Sequence, residues 1–244
     1  MAACKPVIPP TITMEKRITI AIDGFSSTGK STVAKQLARE LGYVYVDTGA
    51  MYRAVTLYAL RNNFISQQHF DVDGLIGELP SVRLYFVFNP ELGFGEMHLN
   101  GENVEEEIRH MQVSQFVSKV AAIHEVREML VAQQQKMGKD KGIVMDGRDI
   151  GTVVFPDAEL KIFMTASAGE RAQRRFAELR ERGEEVSFEE VLKNVQERDF
   201  LDTTRADSPL MKAPDAIEID NSHLSLAGQF QEILSHYKKV IASA

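Results

Sequence analysis

The chain has 244 residues, 44% of them hydrophobic and 26% charged, proportions that belong to a folded soluble protein and exclude a disordered one. Its 28 Lys and Arg against 35 Asp and Glu give a formal charge of −7, which excludes nucleic-acid binding through a broadly basic surface. One cysteine, Cys4, excludes an internal disulfide framework, and no apolar run is long enough to cross a membrane.

Residues 1–13 carry Pro6, Pro9 and Pro10 and no apolar core, so they read as a dispensable tail and not as a signal peptide. Residues 14–244 read as a single domain. Ile18 to Asp23 is a short apolar run suited to a buried strand, and a glycine-rich turn leads from it into a helix over Ser31 to Leu41, stopped by Gly42. Tyr43 to Asp47 is a second strand and Met51 to Leu60 a second helix. Three further apolar strands follow at Gly142 to Asp146, Leu160 to Thr165 and Ala216 to Asp220, with helical stretches between them. That alternation predicts an α/β fold with a five-stranded parallel sheet covered by helices on both faces. Two regions break the rhythm. Arg83 to Val104 reads as a β-hairpin turning at Asn89 and Pro90, and Ser167 to Asp207 is a charged segment with two capping boxes, Ser167 to Glu170 and Ser187 to Glu190.

The strongest chemical signal is Gly24-Phe25-Ser26-Ser27-Thr28-Gly29-Lys30-Ser31, which fits G-x-x-x-x-G-K-[ST] and stands between a strand and a helix. In that setting the backbone N–H groups from Ser26 to Lys30 face phosphate oxygens, aided by the positive end of the helix that continues through Thr32. Lys30 adds a point charge and the Ser31 hydroxyl suits Mg²⁺. Such a loop indicates a nucleoside triphosphate but not a reaction. The Asn-Lys-x-Asp stretch of a guanine-specific switch is absent from the sequence.

A second anion site is suggested by residues at strand ends, where open α/β sheets hold ligands. Asp47-Thr48-Gly49-Ala50-Met51-Tyr52-Arg53 follows the second strand, with Thr48 placed to cap the helix, and Asp146-Gly147-Arg148-Asp149 ends the third. Asp146 is the candidate metal neighbour of Ser31. Arg171, Arg174 and Arg175 share one helix face, as do Arg198 and Arg205 if their helix is continuous. Beside Glu170, Glu178 and Asp202 these read either as a solvated, salt-bridged surface or as a lid bringing guanidinium groups onto a phosphoryl group. The six histidines show no metal-ligand spacing, and the methionines read as core.

These motifs, with Glu170 to Arg175 and Glu197-Arg198-Asp199, resemble the bacterial cytidylate kinases, a family of nucleoside monophosphate kinases within the P-loop kinases. The likeness runs from about Ile18 to the C-terminus, and the stretch Asp146 to Asp157 separates it from adenylate and shikimate kinases. It implies a P-loop kinase fold with a monophosphate-binding insert over about 64–135 and a lid over about 167–190. It also implies transfer of the ATP γ-phosphoryl group to CMP and dCMP with Mg²⁺; the single cysteine, the charge and the absence of a long apolar run read separately as a cytoplasmic protein, expected to be a monomer, without nucleic acid or membrane as partner. By position it puts Thr48, Tyr52, Arg53, Ser118, Arg127, Arg148, Asp149 and Arg205 at the CMP site, while the loop chemistry itself predicts Gly24 to Thr32 on ATP, Ser31 and Asp146 on the metal, and Lys30, Arg148 and Arg198 at the transferring group. Phe25, Ser27 and Thr28 stand where the family's loop has Pro, Gly and Ala, while Gly24, Gly29, Lys30 and Ser31 keep the signature. The other readings are a P-loop kinase of UMP, AMP or shikimate, and a non-catalytic nucleotide switch.

Overall fold

A computed structural model describes residues 16–243; the tail over 1–13 and Cys4 lie outside the described residues. The main sheet contains β1 (Thr19–Gly24), β2 (Val44–Asp47), β6 (Ile143–Gly147), β7 (Leu160–Thr165) and β8 (Ile217–Asp220), all parallel and in the order β2-β6-β1-β7-β8. β1 is buried throughout because it is the middle strand and has helices on both faces; Ile20, Ala21 and Ile22 have no exposed surface. On one face α1 (Lys30–Leu41) and α8 (Leu226–Ser243) bury Val33, Leu37, Ile233 and Tyr237 against Ile20, Ile22 and Ile162.

Between β2 and β6 the chain builds a second body. α2 (Thr48–Arg61), α3 (Val72–Glu78), α4 (Met111–Val120) and α5 (His124–Met137) share a core with an antiparallel sheet of β3 (Leu84–Asn89), β4 (Phe94–Leu99) and β5 (Glu102–Asn103). The hairpin turns where expected, with the Asn89 carboxamide oxygen accepting from Glu91 and Leu92 N–H. The two-residue β5 is an addition to it.

α2 begins at Thr48, three residues before the predicted Met51, because Asp47 and not Thr48 supplies the cap: its Oδ1 accepts from Ala50 N–H at 2.8 Å. The Thr48 hydroxyl is turned instead onto the Asp146 carbonyl, 2.8 Å away. α6 (Ala168–Glu181) and α7 (Phe188–Thr204) form the charged hairpin, joined through a small core of Ala172, Leu179, Val191 and Val195. Ser187 and Glu190 close a reciprocal capping box. Ser167 caps Glu170 N–H but gives its own N–H to Ser222, so the first box closes on one side only. No helix among the described residues is long and apolar enough to cross a membrane.

Candidate active site

The loop between β1 and α1 is shaped by close approach. Gly24 has φ +140°, and a Cβ there would stand 2.0 Å from the Met164 carbonyl oxygen on β7, so only glycine fits. Ser27 holds a left-handed φ of 58°, strained for any residue with a Cβ. Phe25 meets Phe163 edge-on at 6.2 Å and lies 5.0 Å beneath the Arg171 guanidinium, so the departure from the family loop packs it against the α6 segment. Lys30 is buried with its ammonium on the Phe25 carbonyl and the Thr28 hydroxyl. Burial, then the nearby Arg148, pushes Lys30 well below the ordinary lysine range, marking a cation short of negative charge.

Strand order brings Asp146, at the end of β6, alongside this loop. Its Oδ2 accepts from the Ser31 hydroxyl at 2.9 Å and its Oδ1 from the Tyr45 hydroxyl at 2.8 Å. Burial and then Asp47 push the Asp146 carboxyl up, and burial with Asp146 pushes Tyr45 well above its usual range, so the phenol remains a donor. Asp47 is also buried. Although burial opposes ionisation, Arg53 at 3.0 Å and Arg109 at 3.1 Å hold its carboxyl far below the usual carboxylate range.

A cleft of about 390 Å³ runs from the P-loop along these strand ends. It is lined by Lys30, Ser31, Asp146, Arg53, Arg109, Arg148, Arg175, Arg182 and Arg198, among others. A smaller pocket opens beside it, walled by Thr48, Tyr52, Val117, Ser118, Arg127, Asp149, Asp202 and Arg205. Gly49, Arg53, Gly147, Arg148 and Arg198 line both, so three guanidinium groups stand on the boundary. The Nε atoms of Arg53 and Arg198 and the Tyr52 hydroxyl are buried without a hydrogen-bond partner among the described residues. Burial beside Arg148 pushes Arg198 down to about 9.

In the pocket Arg127 is paired with Asp149, and Arg205 lies 3.8 Å from the same carboxylate. α7 runs unbroken from Arg198 to its C-cap Arg205, whose N–H still bonds the Leu201 carbonyl, and both arginines line the pocket. Arg148 does not pair with its neighbour Asp149. Its Nε donates to Asp202 at 2.9 Å, and Ser118 donates to the other Asp202 oxygen at 2.8 Å. Asp202, offered by its spacing as part of a solvated face, is only 5% exposed and stands in this network.

The three arginines of α6 part company. Arg175 lines the cleft, whereas Arg171 is buried in a bidentate pair with Asp199 of α7, and Arg174 donates to Asn221, which in turn donates to the Thr28 carbonyl. Four residues with roles here had no local signal. Arg109 and Arg182 enter the cleft from the inserted body and from the end of α6, and Tyr45 and Asp23 hold strand ends together. Asp23 accepts from Ile150 and Gly151 N–H at 2.8 and 2.7 Å, anchoring the single π-helical turn that follows Asp149.

A family model described as cytidylate kinase matches residues 20–239. The chain is 68% identical over 219 residues to a protein named cytidylate kinase from Flavobacterium psychrophilum, covering 90% of this chain and 97% of that one. Relatives of the same name from Flavobacterium johnsoniae and Bacteroides fragilis are 66% and 58% identical over 226 residues, covering 93% of this chain and 98% and 99% of theirs.

Proposed function

This chain belongs to the cytidylate kinase family, and we propose that it transfers the γ-phosphoryl group of ATP to the phosphate of CMP or dCMP, giving ADP and CDP or dCDP. The observation that carries the reading is the boundary shared by two cavities, at which the half-buried guanidinium groups of Arg53, Arg148 and Arg198 converge, with the Nε atoms of Arg53 and Arg198 lacking a partner among the described residues. ATP lies along the P-loop with its phosphates toward Lys30. The acceptor lies in the smaller pocket with its phosphate toward the three arginines. Transfer between them needs alignment and neutralisation of charge more than covalent chemistry, and fixed guanidinium forks supply both.

For the base, the paired Arg127 and Asp149 with Ser118 offer a guanidinium donor, a carboxylate acceptor and a hydroxyl, a set that complements the amino, ring-nitrogen and carbonyl edge of cytosine. Tyr52 and Thr48 form the adjoining wall. The Ser31 hydroxyl and Asp146 carboxylate fit Mg²⁺: both are oxygen donors, and the carboxyl is buried without a matching cation in contact. Among the described residues no group of three or more His, Cys, Asp or Glu is placed to hold a metal alone, which suits an ion that shares its shell with phosphate and water. Bound there, Mg²⁺ would neutralise phosphate charge.

The body over about 64–135 and the α6–α7 hairpin, about 167–190, act as the acceptor-side insert and the lid. Their contact supports this: Arg182 pairs with Glu106, Glu184 accepts from Met111 N–H at 3.1 Å, and Arg175 donates to the Arg109 carbonyl. Together they close the cleft against water, which would otherwise take the phosphoryl group.

ADP release measured with CMP, dCMP, UMP, AMP and shikimate in turn tests the proposal. CMP and dCMP turn over well above the others. Preference for another acceptor, or ATP binding without transfer, overturns it.

A further inference from the structure

Asp146 is held from two directions. Ser31 of α1 donates to Oδ2 at 2.9 Å and Tyr45 of β2 donates to Oδ1 at 2.8 Å. A carboxylate turns easily about its last torsion, so one hydrogen bond leaves its plane free, whereas donors on both oxygens fix it. The tyrosine that supplies the second donor is itself pinned. Its strand is paired with β6 through Tyr45 and Val144. Its ring lies 5.7 Å from the Lys35 ammonium, which in turn lies 3.3 Å from the ring centroid of Phe94 at the start of β4. Phe94 and Lys35 both line the cleft, so this corner of it is built from α1, β2 and the inserted hairpin.

We propose that Tyr45 is a positioning residue for phosphoryl transfer, its hydroxyl fixing the Asp146 carboxylate so that Oδ2 stays with Ser31 at the mouth of the P-loop. The proposal rests on the reading of the cleft as a kinase site with Ser31 and Asp146 toward the cation. Tyr45 touches neither nucleotide in this scheme; it acts through Asp146. Tyr45 supplies one of the two bonds that hold the Asp146 carboxylate, the other coming from Ser31.

Tyr45→Phe removes the hydroxyl and keeps the ring. Tyr43→Phe is the control, because the Tyr43 hydroxyl accepts from Ile18 N–H at 3.1 Å at the other end of the strand and bears on stability alone. The readouts are kcat, KM for CMP, melting temperature, and Mn²⁺ affinity of the enzyme–ADP complex by electron paramagnetic resonance. For Tyr45→Phe, kcat falls about tenfold and Mn²⁺ affinity about fivefold, with KM for CMP within about twofold, as expected for loss of one charge-assisted hydrogen bond. Tyr43→Phe changes the melting temperature and leaves kcat and Mn²⁺ affinity in place. Wild-type kcat and Mn²⁺ affinity in Tyr45→Phe, or equal losses in Tyr43→Phe, overturn the proposal. A wild-type protein that transfers nothing to CMP overturns the kinase reading instead, and the Mn²⁺ arm still reports on Tyr45.

Discussion

Replacing Asp23 by asparagine tests how the two halves of the cleft are kept in register. Asp23 ends β1 just before the P-loop, and its two carboxylate oxygens take the N–H groups of Ile150 and Gly151, so it ties the triphosphate loop to the turn that presents Arg148 and Asp149. The space is tight: a Cβ on Gly151 would approach Asp23 Oδ2 to 3.4 Å and the Lys161 side chain to 3.1 Å. Burial raises the Asp23 carboxyl to about 7, against the pull of the two backbone donors. A carboxyl raised on folding makes the native state bind the extra proton. Its stabilising contribution is therefore complete below the unfolded value near 4 and is lost as pH rises to about 7. Each pH unit in that window is worth about 1.4 kcal/mol, so from pH 5 to pH 7 wild type should lose about 2.5 kcal/mol relative to Asp23→Asn. For a chain of this size that is a relative change in melting temperature of about 5–10 °C. The assay is thermal melting of both proteins from pH 5 to pH 8. The amide must also turn an NH₂ toward a backbone donor, so KM for CMP should rise more than KM for ATP. Parallel pH profiles for the two proteins would refute the reasoning.

Lys30→Ala should lower turnover by at least about a hundredfold while the circular dichroism spectrum is kept, because the cation on the phosphates is lost without disturbing the core; near-normal turnover would contradict its place at the transferring group. Asp149→Ala takes the close carboxylate from buried Arg127 and leaves it only Asp207 at 3.8 Å, which should cost about 3 kcal/mol in denaturant unfolding and raise KM for CMP at least about tenfold against little change for ATP. Equal losses on both substrates would count against its role at the base. Gly24→Ala drives a methyl group into the Met164 carbonyl and should destabilise the protein by about 3 kcal/mol or more, so an unchanged melting temperature would show that the loop is not held this closely.

The P-loop, the strands that flank it and the hairpin turn at Asn89 were legible along the chain because each depends on neighbours in sequence: a glycine spacing, an apolar run, a turn residue. The start of α2 is not legible along the chain because a cap depends on which hydroxyl or carboxylate is free, and the Thr48 hydroxyl is drawn to a strand that begins almost a hundred residues later. Charge spacing likewise placed Arg171, Arg174 and Arg175 on one face without distinguishing the one at the cleft from the two locked to Asp199 and Asn221. Asp202 looked solvated for the same reason: periodicity reports a face, not what covers it. What the sequence alone determined was the triphosphate loop, the α/β rhythm and the family resemblance. Which carboxylates meet which cations was decided by the strand order, which inserts β6 between β1 and β2 and brings Asp146, Arg148 and Asp149 to Ser31, Tyr45 and Asp23. Parallel pairing aligns those strand ends across long gaps in the chain, and no local pattern carries that information.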